Sequence, residues 1–440
     1  MISSLIYLLS AFLIVISIDC MSSPYRAVRG YYISAVAMGL ALITCIATNI
    51  NYNAHLITAA LLAGGGIGIW FALRVELSAL PQMVALLNGI GGLSSSLLMW
   101  CVATHSHINF IIVLCFVIGL ITFSGSMVAF AKLHGWMHRN LSWTKWLSLI
   151  LFVLLCFVTW FYIENDGAGF HALVTIVLLL GICLTMPIGG ADMPVVISLL
   201  NSFSGWAVVL VGLLSGDLLL IITGTLVGTS GTILSYIMSK AMNRPLLKII
   251  WPKKIQKKQE DNTDGIAKKG SPEEAAFIMS NARKIIIVPG FGMAAAHAQQ
   301  ALKSMTDILS KKYGVDVKYA IHPVAGRMPG HMNVLLAEAQ VPYENVYSMA
   351  DINSEFASAD VAYVIGANDV TNPVAKTEVN SPLYGMPILD VEKAKTIFFV
   401  KRSLGTGYSG VDNPLFYAPN TIMLLGDAKT ITEEIVKDME

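Results

Sequence analysis

Two groups of residues in this chain have the types and spacing that chemistry needs. The first begins with Gly290-Phe291-Gly292-Met-Ala-Ala295, directly after the short apolar run Lys284-Ile-Ile-Ile-Val-Pro289. A Gly-x-Gly-x-x-Ala turn between a strand and a helix lets backbone N–H groups approach a pyrophosphate at the helix N-terminus. Lys401-Arg402-Ser403 follows another apolar run and offers two cations and a hydroxyl to a phosphate dianion. A solvated strand end is the plainer reading. The glycine-rich Leu404-Gly405-Thr406-Gly407-Tyr408 that follows favours phosphate. An NAD-type site usually closes its second strand with Asp or Glu, but here that strand ends in Ile321-His322-Pro323. A carboxylate would repel a 2′-phosphate, so its absence points to the phosphorylated dinucleotide.

The second group lies in apolar surroundings. Asn88 comes seven residues after Pro81, Asn201 seven residues after Pro194, and Asp192 just before Pro194. If both runs start at one membrane face near those prolines, both amides sit about 10 Å deep. Polar and ionisable groups at such depth mark ion paths, although two Asn can also simply bridge helices. Matched depth favours the path.

These residues need elements to place them. Of the 440 residues 55% are hydrophobic and 13% charged, but the two halves differ sharply around Pro252. Before it, apolar runs of 18 or more residues read as transmembrane helices. Nine candidate spans fall near 3–19, 31–50, 54–73, 81–103, 108–131, 143–163, 169–187, 193–215 and 217–240. Lys and Arg occur only in alternate loops, which predicts an outside N-terminus and a cytoplasmic C-terminal half. The first run has no signal-peptide pattern and reads as a retained span. The glycines of Gly64–Gly68 read as a helix contact, as do Gly224, Gly228 and Gly231. Thr225, Thr229, Thr232 and Tyr236 put hydroxyls on one face, which lines a wet path or bonds a neighbouring helix. The six cysteines form no Cys-x-x-Cys pair and read as buried small apolar residues, not a metal site. The histidines of this half fall at span ends or in loops, which argues against haem. The net charge of +1, with no basic tract, gives no sign of nucleic acid.

After a polar linker the pattern alternates strand and helix, as in a doubly wound parallel sheet. Strands are expected at 284–289, 315–321, 361–366, 396–400 and 421–425, with a long amphipathic helix from about Ala294 to Lys312. Residues 1–250 then form a transmembrane domain, 251–280 a linker and 281–440 a Rossmann-like nucleotide-binding domain. Further loops fall at strand ends, where ligands bind in such sheets. They are Val324-Ala-Gly-Arg-Met-Pro-Gly330 and Gly366-Ala-Asn-Asp-Val370, in which Asp369 is a titrating or orienting group, or only a helix cap. There is no second dinucleotide fingerprint, so this half looks like one side of a redox enzyme.

The chain resembles the beta subunit of proton-translocating NAD(P) transhydrogenase over nearly its whole length. The resemblance is carried by Ile188-Gly-Gly-Ala-Asp192-Met-Pro-Val-Val, Leu200-Asn201-Ser-Phe-Ser-Gly-Trp206, the run from His322 to Glu338, Ile365-Gly-Ala-Asn-Asp369, Lys401 to Tyr408, and Gly426-Asp-Ala-Lys429. It implies an NADP(H)-binding domain on a proton-conducting bundle, and a partner alpha subunit that binds NAD(H). Hydride would pass from NADH to NADP⁺ while protons move inward. The implied assembly is a dimer of alpha–beta units in a bacterial inner membrane. By the same resemblance Phe291, with Gly290 and Gly292, holds the nucleotide. So do Val324, Ala325, Gly326, Arg327, Met328 and Pro329, and Gly366, Ala367, Asn368, Asp369 and Val370. Gly385, Met386, Asp427 and Ala428 add contacts. Lys401, Arg402, Ser403, Leu404, Gly405, Thr406, Gly407 and Tyr408 close as a lid. Asp369 couples nucleotide state to proton state, and Asp192 and Asn201 match family positions in the membrane. Some members carry a His where this chain has Asn88, so the titrating His is expected in the partner's helices, with Asn88 orienting water. The competing reading is an NADP-gated transporter without redox chemistry.

Overall fold

The computed structural model describes residues 2–21, 26–48, 54–104, 107–137, 141, 143–165, 167–251, 267–328, 330–379, 381, 383–407 and 409–440. The apolar runs form α1 (Ile2–Met21), α2 (Ala27–Thr48), α3 (Ala54–Arg74), α4 (Leu80–Ala103), α5 (Phe110–His134), α6 (Thr144–Glu164), α7 (Phe170–Thr185), α8 (Met193–Ser215) and α9 (Leu218–Ala241). Eight of them are long and apolar enough to cross a bilayer. The exception is α7, with 16 residues. It stops ahead of Pro187, which has no N–H to continue the ladder, and Gly189 and Gly190 lead into a short 3-10 turn ending at Asp192.

The first half packs around α5. The Asn109 side chain caps it by accepting the Ile112 N–H at 2.9 Å, and Gly135, at φ +87°, ends it in the left-handed conformation. Met99 of α4, Val113 and Leu120 of α5, Leu151 of α6, Leu173 and Val177 of α7 and Ala207 of α8 share one buried cluster. Small residues bring backbones together. A β-carbon on Gly92 of α4 would lie 2.6 Å from the Gly119 carbonyl of α5. One on Gly224 of α9 would lie 2.8 Å from the Gly205 carbonyl of α8. Ser202 donates to the Gly228 carbonyl at 2.7 Å and pairs with the Thr232 hydroxyl at 2.6 Å. The hydroxyl face of α9 therefore bonds its neighbour at Thr232, whereas Thr225 and Thr229 bond carbonyls of their own helix.

Two expectations need correction. Beside Gly64, Gly65, Gly66 and Gly68 of α3 an added β-carbon meets nothing within 4 Å, so the expected helix contact is not made among the described residues of this chain. Only Cys115 and Cys183 are buried. Cys20 is intermediate, and Cys45, Cys101 and Cys156 are exposed. An outward-facing thiol on a spanning helix meets hydrocarbon, which a small apolar group tolerates as well as a protein core.

Packing divides the chain into two compact units, Met1–Ile188 with Val196–Ser235, and Gly189–Val195 with Tyr236–Glu440. The second contains α10 (Leu246–Ile250) and, beyond residues outside the description, an alternating α/β fold. Its elements are α11 (Pro272–Ser280), β1 (Lys284–Pro289), α12 (Phe291–Ala295), α13 (Gln299–Lys312), β2 (Asp316–Ile321), α14 (His331–Glu338), β3 (Val346–Ser348), α15 (Met349–Ile352), β4 (Val361–Ile365), α16 (Val374–Thr377), β5 (Thr396–Lys401), β6 (Thr421–Leu425) and α17 (Ala428–Met439). The sheet order is β3-β2-β1-β4-β5-β6, and every pairing is parallel. That is the doubly wound Rossmann order, whose direction reverses between β1 and β4. The buried strands are β-branched and aromatic, as strands covered on both faces must be.

Two elements differ from expectation. The strand β3 has only three residues, none of them buried, so it carries no apolar run to read. The long helix is broken, because His297 at φ +51° turns the chain between α12 and α13. The molecule is a polytopic helical membrane bundle followed by a Rossmann-like domain.

Candidate functional site

The loops that follow β1 and β4 meet backbone on backbone at the switch point. Gly290 N–H donates to the Ile365 carbonyl at 2.9 Å, and Gly292 N–H to the Gly366 carbonyl at 2.8 Å. A β-carbon on Gly292 would lie 2.6 Å from Gly366 Cα, and Gly366 itself sits at φ +68°. Ala367 packs against Gly290 in the same contact. The glycines of the fingerprint therefore serve first to let two loops touch, and two of the expected phosphate-facing N–H groups are taken by the last residue of β4 and by Gly366 after it. Phe291 sits between them, and the Arg327 guanidinium stands 4.0 Å from its ring centroid.

The ends of β5 and β6 hold the cations. Lys401 donates to the Gly405 carbonyl at 2.6 Å and stands 4.4 Å over the Phe416 ring. Burial pushes its ammonium below the usual lysine range, against the pull of the Asp369 and Asp412 carboxylates. Arg402 pairs with Asp427 at 2.8 Å, and this pair holds the Asp427 carboxyl below the usual range. Asp427 also caps α17, which begins at Ala428, by accepting the Lys429 N–H at 3.0 Å. Ser403 accepts the Gly405 N–H at 3.4 Å. A phosphate arriving here must compete with Asp427 for Arg402.

The loop after β5 is fastened to the loop after β4. Asp369 accepts both the N–H and the hydroxyl of Ser409, at 3.0 and 2.8 Å. Asn413 donates to the Asn368 side chain at 3.0 Å, and Asn372 to the Asp412 carbonyl at 2.9 Å. Gly407 packs against Asp369 and Asn368, with no room for a β-carbon. Sequence reading named Asp369 but missed Ser409, Asn413 and Arg402–Asp427, because nothing in the spacing pairs residues 25 to 45 positions apart.

The loop after β2 is shaped by two buried histidines. His322 Nδ1 accepts the Val324 N–H at 3.2 Å, and its Nε2 bonds the Pro387 carbonyl at 2.7 Å. That tie holds the stretch containing Gly385 and Met386, and Leu389 N–H in turn donates to the Val370 carbonyl at 2.9 Å. His331 Nδ1 accepts the Arg327 N–H at 3.2 Å, next to Gly326 at φ +100°. Ala325 closes a turn on the His322 carbonyl, and Met328 one with the His331 N–H. Burial lowers both imidazoles to about 4, with Arg327 adding to the effect at His331. Leu404 and Thr406 lie in the β5 loop, while Pro329 and Tyr408 lie outside the described residues.

Two buried donors in these loops, Asn368 Nδ2 and His331 Nε2, have no hydrogen-bond partner among the described residues. Each costs about 1–3 kcal/mol unless something accepts from it. Unmet donors, a glycine cradle and two cations at the loop end of the sheet fit an anionic dinucleotide.

In the first unit, Asn88 Nδ2 donates to the Ile197 carbonyl at 3.3 Å, and Ser204 reaches the Asn88 carbonyl at 3.4 Å. Asn201 is one turn beyond Ile197 on α8. In the second unit, Arg244 Nη1 reaches both oxygens of the buried Asp192, at 2.7 and 2.9 Å. Sequence reading took Arg244 only as a topology signal.

A family model described as NAD(P) transhydrogenase beta subunit matches residues 3–438. The chain is 46% identical over 455 aligned positions, 98% of each chain, to the NAD(P) transhydrogenase subunit beta of Rhodospirillum rubrum. The same protein from a designated strain of that species gives the same match.

Proposed function

The chain belongs to the NAD(P) transhydrogenase beta subunit family, and from that premise we propose that it binds NADP(H) and couples hydride transfer to inward proton movement. The observation that carries the reading is the pair of cations at the end of β5, set in a sheet whose second strand ends at Ile321 and is followed by His322 and not by a carboxylate. A 2′-phosphate finds charge-assisted donors in Lys401 and Arg402 and meets no acidic residue at β2. When bound, NADP(H) supplies the hydride acceptor or donor. The chain's residues bind, orient and enclose it. Phe291 and Arg327 form a flat wall, Asn368 offers its unmet N–H, and Asp369 fastens the β5 loop through Ser409.

NAD(H) binding is assigned to an alpha subunit, with two alpha–beta units in the assembly. Two nicotinamides held close need no metal or flavin between them. Proton movement is assigned to the level of Asn88 and Asn201 and to Asp192, which Arg244 keeps paired. Asn88 orients water there, and the titrating His is the partner's. The membrane is a bacterial inner membrane, with the N-terminus outside and the nucleotide domain in the cytoplasm.

The test is NADP⁺ reduction by NADH in vesicles holding both subunits, recorded together with proton uptake. A complex that binds NADPH and never transfers hydride would instead be an NADP-gated transporter.

A further inference from the structure

The end of α7 raises a question that the proposed function leaves open. A helix C-terminus leaves carbonyls without intrahelical donors, and it is the negative end of the helix dipole. Most such ends are closed by a left-handed glycine or by water. Here Met186 is right-handed and Pro187 offers no N–H. The carbonyls are met instead by an ammonium from another helix. Lys132 Nζ, in the last turn of α5, donates to Met186 O at 2.5 Å and Ile188 O at 2.7 Å, with Thr185 O at 3.4 Å. A lysine has three N–H donors, and three carbonyls surround them.

The approach is built into the two helices. On α5, Ser124 and Gly125 lie two turns before Lys132, on the same face. A β-carbon on Gly181 of α7 would lie 2.8 Å from the Ile121 carbonyl of α5. One on Gly125 would lie 3.0 Å from Thr185 Oγ1. Glycine thus brings the backbones together, and that contact delivers the lysine stem to the end of α7. In membrane proteins a half-helix whose C-terminal carbonyls face a cation is a recurring way to hold charge away from water. Here the cation is tethered.

We infer that Lys132 is a positioning residue: it caps α7, holds the elbow Met186–Ile188, and so fixes the point from which Gly189-Gly190-Ala191-Asp192 departs. The consequence for coupling rests on the proposed role of Asp192. Without the ammonium, the Met186 and Ile188 carbonyls lose this donor, and the elbow keeps the 3.3 Å turn bond from Ile188 N–H to the Thr185 carbonyl. The elbow frays, and the chain that runs on to Asp192 loses its anchor.

The test uses the full chain assembled with its alpha partner in lipid nanodiscs and vesicles. In Lys132→Met, backbone amides of residues 186–192 should exchange with deuterium about tenfold faster or more, reporting local opening. Protons moved per hydride transferred should fall at least severalfold in the same variant. Lys132→Arg, which keeps the charge and the donors, should restore both. Should Lys132→Met fail to assemble, Lys132→Gln is read the same way. Unchanged exchange at 186–192, or faster exchange with unchanged coupling, overturns the inference. A wild-type complex that moves no protons defeats the proposed function instead, and the exchange measurement still judges the cap.

Discussion

At the scale of residues, Lys401 and Arg402 leave β5 in different company. Lys401 is partly desolvated over Phe416, whereas Arg402 is already paired with Asp427. Losing a charged hydrogen bond costs about 1.5–3 kcal/mol, so Arg402→Ala should weaken NADPH binding roughly tenfold or more and leave NADH binding unchanged. Asp427→Asn is the more telling change. Asparagine caps a helix as well as aspartate does, so α17 should hold while Arg402 is released. NADPH should then bind severalfold more tightly, and calorimetry on the complex reads this directly. A weaker complex would mean that Asp427 itself contacts the nucleotide. The histidines set a pH dependence. Both imidazoles fall from 6.5 to about 4 in the folded state, so the unfolded chain binds more protons between those values. Stability is therefore fully present above about pH 6.5 and is lost as pH falls toward 4, by a few kcal/mol for the pair as an order of magnitude. His322→Gln keeps a donor for Pro387 and removes one titration. Its unfolding curve should lose roughly half of that slope.

At the scale of elements, the loops are fastened by contacts that side-chain chemistry can test. Ser409→Ala deletes one of the two bonds to Asp369, so NADPH should dissociate a few times faster in stopped flow while its association rate stays put. Gly366→Ala adds both a positive-φ penalty and a clash with the turn after β1, and should destabilise the α/β fold by about 2 kcal/mol or more. These contacts also mark the limits of reading the chain by eye. The spanning helices were legible because twenty apolar residues have few other uses. The five longer strands were legible because each is a short, mostly apolar run bounded by polar, glycine or proline residues. The short β3 was not, since three half-exposed residues carry no period. Nor was the break at His297, since a left-handed histidine has no sequence signature. The cations at 401–402 announced their charge, but Asp427 as their counterpart is set by β5 pairing with β6. The fingerprint glycines were found, yet their contact with Gly366 joins positions more than seventy residues apart.

At the scale of the whole molecule, Asp192 and Arg244 join two distant stretches of chain. Removing one partner of a buried ion pair strands the other, whereas removing both is far milder. Arg244→Gln alone should therefore reduce the amount of assembled chain in membranes. Asp192→Asn with Arg244→Gln should restore assembly without restoring proton movement, as blotting and vesicle acidification would report. Assembly of the single variant at wild-type levels would place Asp192 in water. The meeting of Gly290, Gly292 and Gly366 has a broader consequence. An interface made of main chain alone offers evolution or a protein engineer nothing to adjust: any substitution there adds atoms where none fit. Preference for one dinucleotide over another has to be tuned at the periphery, at 401–403 and 427, while the hub remains a rigid datum. Anyone seeking to convert this chain to the unphosphorylated dinucleotide should rewrite the rim and leave the axle alone.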